Sequence, residues 1–128
     1  MPKSEPCLCG SGKPAPACCS LFHDGTAAPT AEALMRSRYV AYALGLAPYL
    51  LATWHPSTRP AELNLDEDPS RWLGLTIKRH EQRDDDHAIV EFIARYKVGG
   101  RAYRLYETSR FVREDGRWFY IDGDIKDQ

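Results

Sequence analysis

All four cysteines of the 128-residue sequence fall within the run Cys7-Leu-Cys9-Gly-Ser-Gly-Lys-Pro-Ala-Pro-Ala-Cys18-Cys19. Thiolates are soft ligands, and a tetrahedral Zn2+ held by four of them keeps no position for a substrate. Gly10 and Gly12 permit a turn in which backbone N–H groups approach the sulfurs of Cys7 and Cys9. Cys18 and Cys19 close such a site from the opposite side if they open a helical turn. A structural zinc contributes about 10 to 16 kcal/mol of apparent binding free energy, which a proline- and glycine-rich segment with almost no core needs in order to fold. The competing readings are a disulfide pair, free buried thiols and a redox switch. A Cys7–Cys9 or Cys18–Cys19 bridge is strained. The opening Met-Pro-Lys-Ser-Glu-Pro carries no apolar leader, so a cytoplasmic, reducing setting is expected. One structural Zn2+ on Cys7, Cys9, Cys18 and Cys19 ranks first, ahead of a redox-sensing zinc site. His23 is either a substitute ligand or an exposed loop histidine.

A second constellation is spread over the rest of the chain: Trp54, His55, Arg59, Tyr96, Glu107, Ser109 and Tyr120. Glu107 stands out because strand alternation gives it the same face as Tyr103, Leu105, Ser109 and Phe111. A carboxylate among apolar neighbours needs a partner or a raised pKa, and Arg59 or His55 is a candidate partner. A Glu–His pair in a pocket is equipped for general acid–base chemistry; a Glu–Arg pair that fixes the sheet against the preceding loop is the preferred reading. Arg36 and Arg38 read as the wet face of a helix or a local ion pair. No Ser/His/Asp order or cysteine nucleophile stands out, so no catalytic residue is assigned.

The elements that must position these groups are legible in outline. Residues 1–29 hold every cysteine and five of the nine prolines, too many breakers for a helix or central strand. Thr30 is an N-cap signal, Glu32 suits the first turn, and Gly45 offers a stop, so Thr30 to about Leu44 is expected to be a helix with Met35, Tyr39 and Tyr42 on one face. Pro48 opens a second, short helix that ends by His55. From Pro56 to Pro69 a loop is expected. Leu73–Gln82, His87–Val98, Arg101–Arg113 and Arg117–Asp122 then alternate with period two, separated at Gly99-Gly100 and Asp115-Gly116 by hairpin signals. Helices followed by a four-stranded antiparallel meander make an α+β domain, with a boundary expected between residues 1–29 and 30–128.

Composition agrees with a folded, water-soluble chain: 43% hydrophobic, 27% charged, net charge −1. No run is long enough for membrane insertion. Between Arg95 and Arg117 seven basic residues stand against three acidic ones. A solvated strand face is the first reading of that excess, with nucleic-acid contact behind it.

Cys7-Leu-Cys9-Gly-Ser-Gly-Lys13 with Cys18-Cys19 resembles the SEC-C motif, the zinc knuckle at the end of the SecA translocation motor. Leu34-Met-Arg-Ser-Arg-Tyr39, Thr53-Trp-His-Pro56, Trp72-Leu-Gly-Leu75, Phe92-Ile-Ala-Arg-Tyr96, Ser109-Arg-Phe111 and Trp118-Phe-Tyr-Ile-Asp-Gly123 extend the likeness to the YchJ family of bacterial SEC-C proteins. That resemblance implies a zinc knuckle joined to a cystatin-related, nuclear-transport-factor-2-like (NTF2-like) domain, with helices packed on a curved antiparallel sheet. It carries over no established activity. The leading expectation is a non-enzymatic adaptor whose knuckle contacts a protein partner through Lys13, the Pro14-Ala-Pro16 stretch and Leu21-Phe22, while the sheet binds a second partner or a second copy; likeness to the SecA tail implies a partner in export or translation machinery. The alternative is a small-molecule binder or enzyme using a pocket of the α+β domain.

Overall fold

The structure is a computed structural model that describes residues 22–23, 25–61 and 71–126. Helix α1, Ala31–Leu44, begins where expected because the Thr30 hydroxyl accepts the Ala33 N–H at 3.0 Å. It ends at Gly45, whose φ of 76° is open to a residue without Cβ and lets its N–H cap the last turn. Helix α2, Ala47–Ala52, carries Pro48 in its first turn. It stops short of His55 because the chain beyond it is drawn into the sheet. The Tyr120 N–H donates to the Thr53 carbonyl at 2.9 Å, and the His55 N–H donates to the Tyr120 carbonyl at 2.7 Å, a parallel bridge centred on Trp54.

Four strands follow in simple antiparallel order: β1 Arg71–Gln82, β2 His87–Val98, β3 Arg101–Glu114 and β4 Arg117–Lys126. The β2–β3 turn is Gly99-Gly100, at φ 59° and 81°, and the β3–β4 turn is Asp115-Gly116, at 53° and 78°. Two consecutive left-handed residues match the right-handed twist of the flanking strands, as in two-residue hairpins. Strand β4 runs past the expected end at Asp122. Arg110 on β3 holds both Asp122, at 2.6 Å, and Asp124, at 2.9 Å, so a polar sequence stays paired.

Register is interrupted at three places: between Trp72 and Gly74, between Ile77 and Arg79, and opposite Arg110–Phe111, where Ile121 is the extra residue of β4. Bulges bend the bulged strand and sharpen its twist, and here they give the sheet a concave face. α1 covers that face. Leu34, Met35, Tyr39 and Val40 pack with Val90, Phe92, Phe111 and Trp118 in one buried cluster, the layered α+β arrangement. No helix among the described residues is long and apolar enough to cross a membrane.

Candidate functional site

The concave face is not filled. Between α1 and the sheet lies a cavity of about 250 Å3. Its walls are apolar and largely aromatic: Met35, Tyr39 and Tyr42 come from α1, Trp72 from β1, Phe92 and Ala94 from β2, and Leu105 from β3. Its base is polar, built from Arg38, Glu107, Ser109 and Tyr120. The sequence places this base by register. Phe92 opposes Glu107 and Val90 opposes Ser109 across β2 and β3, so all four face the helix. The Ile121 bulge then brings Gly123 opposite Ser109.

Glu107 is held by its own sheet. Its Oε2 accepts the Ser109 hydroxyl, two residues along the same face, at 2.6 Å, and the Tyr120 hydroxyl at 3.4 Å. The side chain lies over Gly123, where a Cβ would overlap Glu107 Oε2 and come within 2.9 Å of Cδ. A side chain at position 123 is therefore accommodated only if the Glu107 carboxylate gives way. Burial pushes the Tyr120 phenol well above its ordinary value, and the charge of Glu107 pushes it further in the same direction. Tyr120 is thus a hydrogen-bond donor at neutral pH.

Arg38 is the group that sequence reasoning placed in solvent, and it is 3% exposed. Its Nη1 donates to the Leu50 carbonyl at 2.8 Å and to the Thr53 hydroxyl at 2.7 Å, tying α1 to the end of α2. The guanidinium carbon lies 4.6 Å from the Tyr120 ring centre and 5.1 Å from that of Trp54, within cation–π range. Burial lowers its pKa, opposed by the surrounding tyrosines and by Glu107; an arginine so placed remains a cation. No carboxylate among the described residues forms an ion pair with it. Arg36, its neighbour in sequence, does take the ion pair expected on a wet face, with Glu32 at 3.1 Å.

Of the other residues singled out from sequence, Trp54 is not among those lining the cavity and packs edge-on to Tyr120, with ring centres 5.1 Å apart. Tyr96 reaches it only through Trp72, at 5.3 Å, and stacks on Tyr103. His55 points to Glu114, with Nε2 at 2.9 Å from its carboxylate, and to Ser57. Arg59 donates its Nε–H to the Trp54 carbonyl at 3.0 Å. Neither His55 nor Arg59 meets Glu107. His23 is half-buried rather than an exposed loop residue: Nε2 faces the Ser37 carbonyl at 2.9 Å, and the ring packs edge-on to Tyr49. Phe22 packs against the core. The expected zinc ligands Cys7, Cys9, Cys18 and Cys19, and Lys13, lie outside the described residues. Among the described residues no three His, Cys, Asp or Glu side chains gather to hold a metal ion.

Comparison with known proteins agrees with the fold. Residues 30–123 match the family model of the YchJ middle NTF2-like domain. A UPF0225 protein of Chromobacterium violaceum is 60% identical over 123 residues, which cover 91% of this chain and 90% of that one. A UPF0225 protein of Cupriavidus pinatubonensis is 57% identical over 127 residues, covering 94% and 88%. The solution structure of a SEC-C motif containing protein from Rhodopseudomonas palustris superposes with a TM-score of 0.85 at 35% identity, over 96% of this chain and all of that one. The crystal structure of a SEC-C motif containing protein from Psychrobacter arcticus gives 0.77 at 26% identity, over 96% and 82%. The open cone that α1 and the sheet enclose and the family match over most of the chain place the protein in the YchJ family, whose middle domain is NTF2-like.

Proposed function

We propose that this chain is a non-enzymatic binding protein with two working parts. The NTF2-like domain takes up a small molecule in its cone. The segment bearing Cys7, Cys9, Cys18 and Cys19 folds on one structural Zn2+ and engages a protein partner, with Lys13 and Phe22 as candidate contacts.

The open cavity with a fixed polar base carries the first part. A domain that needed the cone only for stability would fill it, because interiors pack to the density of organic crystals. Instead, aromatic walls surround a few convergent polar groups, the usual composition of a ligand site. Binding is favoured over catalysis by the base itself. Glu107 is the one carboxylate lining the cavity among the described residues, and its Oε2 is engaged by two hydroxyls. Arg38 and Tyr120 hold their protons too tightly to exchange them near neutral pH.

The second part is supported by the donor set and by the solved relatives, which are SEC-C motif proteins. Four thiolates fill a tetrahedron and leave nothing for substrate, so such a site acts by folding and presenting a surface. A cytoplasmic setting, where thiols stay reduced, goes with this reading.

Native mass spectrometry of the full chain purified from cells, with and without denaturation, tests both parts. The expected result is a chain carrying one zinc and releasing a small organic molecule when unfolded. A chain that carries no small molecule from the cell and accepts none from a fragment library would overturn the first part. A chain that stays metal-free when prepared with zinc would overturn the second.

A further inference from the structure

Resting on the reading of the cone as a ligand site, we infer that its ligand is a net-neutral molecule with an amide-type head, one acceptor beside one N–H donor, on a single aromatic or similarly flat apolar body. The argument starts from which atoms at the base are already engaged. Ser109 and Tyr120 both direct their hydroxyls to Glu107 Oε2. Arg38 commits Nη1 to Leu50 and Thr53. Among the described residues, Glu107 Oε1 and Arg38 Nε and Nη2 have no hydrogen-bond partner. Among the described residues the side-chain polar atoms that are both shut away from solvent and unpartnered are Trp54 Nε1, His80 Nε2 and Trp118 Nε1, so these atoms of Glu107 and Arg38 keep contact with open space. Both residues line the cavity. The two lining residues therefore bring to the cavity one unengaged acceptor and unengaged donors.

Charge decides between head groups. One buried cation and one carboxylate line the same cavity without forming an ion pair, so the base is neutral as a pair and charged at each end. A carboxylate head gains Arg38 but sets a second negative charge against Glu107 in a poorly solvated space; an ammonium head gains Glu107 and meets Arg38. Like-charge juxtaposition is a strong means of exclusion. A primary or secondary amide has its carbonyl accept from Arg38 and its N–H donate to Glu107, which satisfies both ends and adds no charge. Leaving either end unmatched costs more than the matched bond contributes.

Size sets the body. An apolar cavity of roughly 150 Å3 holds a benzene-sized molecule, so about 250 Å3 accommodates one ring and a short head. Trp72, Tyr39 and Phe92 present ring surfaces for stacked or edge-on contact.

Three probes of matched size separate the possibilities: phenylacetamide, phenylacetate and phenethylammonium, each titrated into the 15N-labelled full chain. Shifts of the Ala94, Leu105 and Glu107 amide resonances report occupation of the cone. Phenylacetamide is expected to bind at least about fivefold more tightly than either charged probe. Glu107→Gln, which removes the negative end but keeps the shape, is expected to raise phenylacetate affinity relative to the amide by a similar factor. Tighter binding of a charged probe to the unaltered chain, or a preference unchanged by Glu107→Gln, overturns the inference and leaves the cone a binding site. Failure of all three probes to shift those resonances overturns the inference together with the reading on which it rests.

Discussion

The Arg38 guanidinium lies over the face of Tyr120, 4.6 Å from guanidinium carbon to ring centre. A cation that is 3% exposed is thus held by π faces, one backbone carbonyl and one hydroxyl rather than by a carboxylate. The same guanidinium links α1 to the last turn of α2, so it positions the cone as well as lining it. Lysine has neither the planar fork nor the weak hydration that suits this place. Arg38→Lys is expected to destabilise the fold by about 2 to 4 kcal/mol, within the range for breaking a buried polar network. Urea unfolding with an unchanged m-value checks this, and a loss below about 0.5 kcal/mol would show that the contacts contribute nothing.

Gly123 and Glu107 form the second tight relationship. Adding a Cβ at Gly123 forces the carboxylate out of its place over β4. Gly123→Ala is expected to cost about 1 to 3 kcal/mol, the usual penalty for overpacking. Most of that loss should disappear in the Glu107→Ala background, because the overlap is then removed. Chemical denaturation of the four proteins of this double-mutant cycle measures the coupling, and additive losses would mean that Gly123 matters for some other reason.

The sequence announces the local devices of this fold and is silent on the long-range ones. Thr30, Gly45, Gly99-Gly100 and Asp115-Gly116 act through their own backbone, so each marks its cap or turn without reference to the rest of the chain. Strand alternation likewise puts Glu107 and Ser109 on one face. Arg38 gives no such sign. Its burial depends on where Leu50, Thr53, Trp54 and Tyr120 arrive in space, whereas Arg36, two residues and about half a helical turn away, takes the local ion pair with Glu32 that its helix offers. The partners of Glu107 were legible by face but not by distance: the hydroxyls came from its own sheet, while His55 was drawn to Glu114 by the β4 bridge. The end of β4 was hidden for the same reason, since only Arg110 on the next strand explains why Asp122 and Asp124 remain paired.

Tyr120 supplies a pH signature. Its folded pKa is raised above the ordinary tyrosine value of about 10 by burial first and by Glu107 second. A raised folded value means that the neutral phenol is favoured in the fold. The corresponding stability is full below pH of about 10 and is lost as pH rises through the folded value. Of the seven tyrosines, Tyr120 is expected to remain protonated past the ordinary range and to ionise only with unfolding. Ultraviolet titration of phenolate absorbance, compared with Tyr120→Phe, reads this directly. A Tyr120→Phe difference spectrum centred at the ordinary value would contradict it.

Zinc and the sheet should respond separately to metal removal. The buried cluster that holds α1 to the sheet is built from residues between Ala28 and Trp118, whereas the proposed ligands are Cys7, Cys9, Cys18 and Cys19. Thiolate ligands must be deprotonated, so metal is expected to leave on acidification or with a strong chelator. Cys7→Ser and Cys18→Ser are each expected to reduce the zinc content of the full chain from one ion to a small fraction. After chelation the dispersed resonances of β2 and β3 should persist, because their packing does not pass through the cysteines. Zinc retained in both serine variants would refute the ligand assignment. Collapse of the β2 and β3 resonances on chelation would show instead that the metal supports the whole chain.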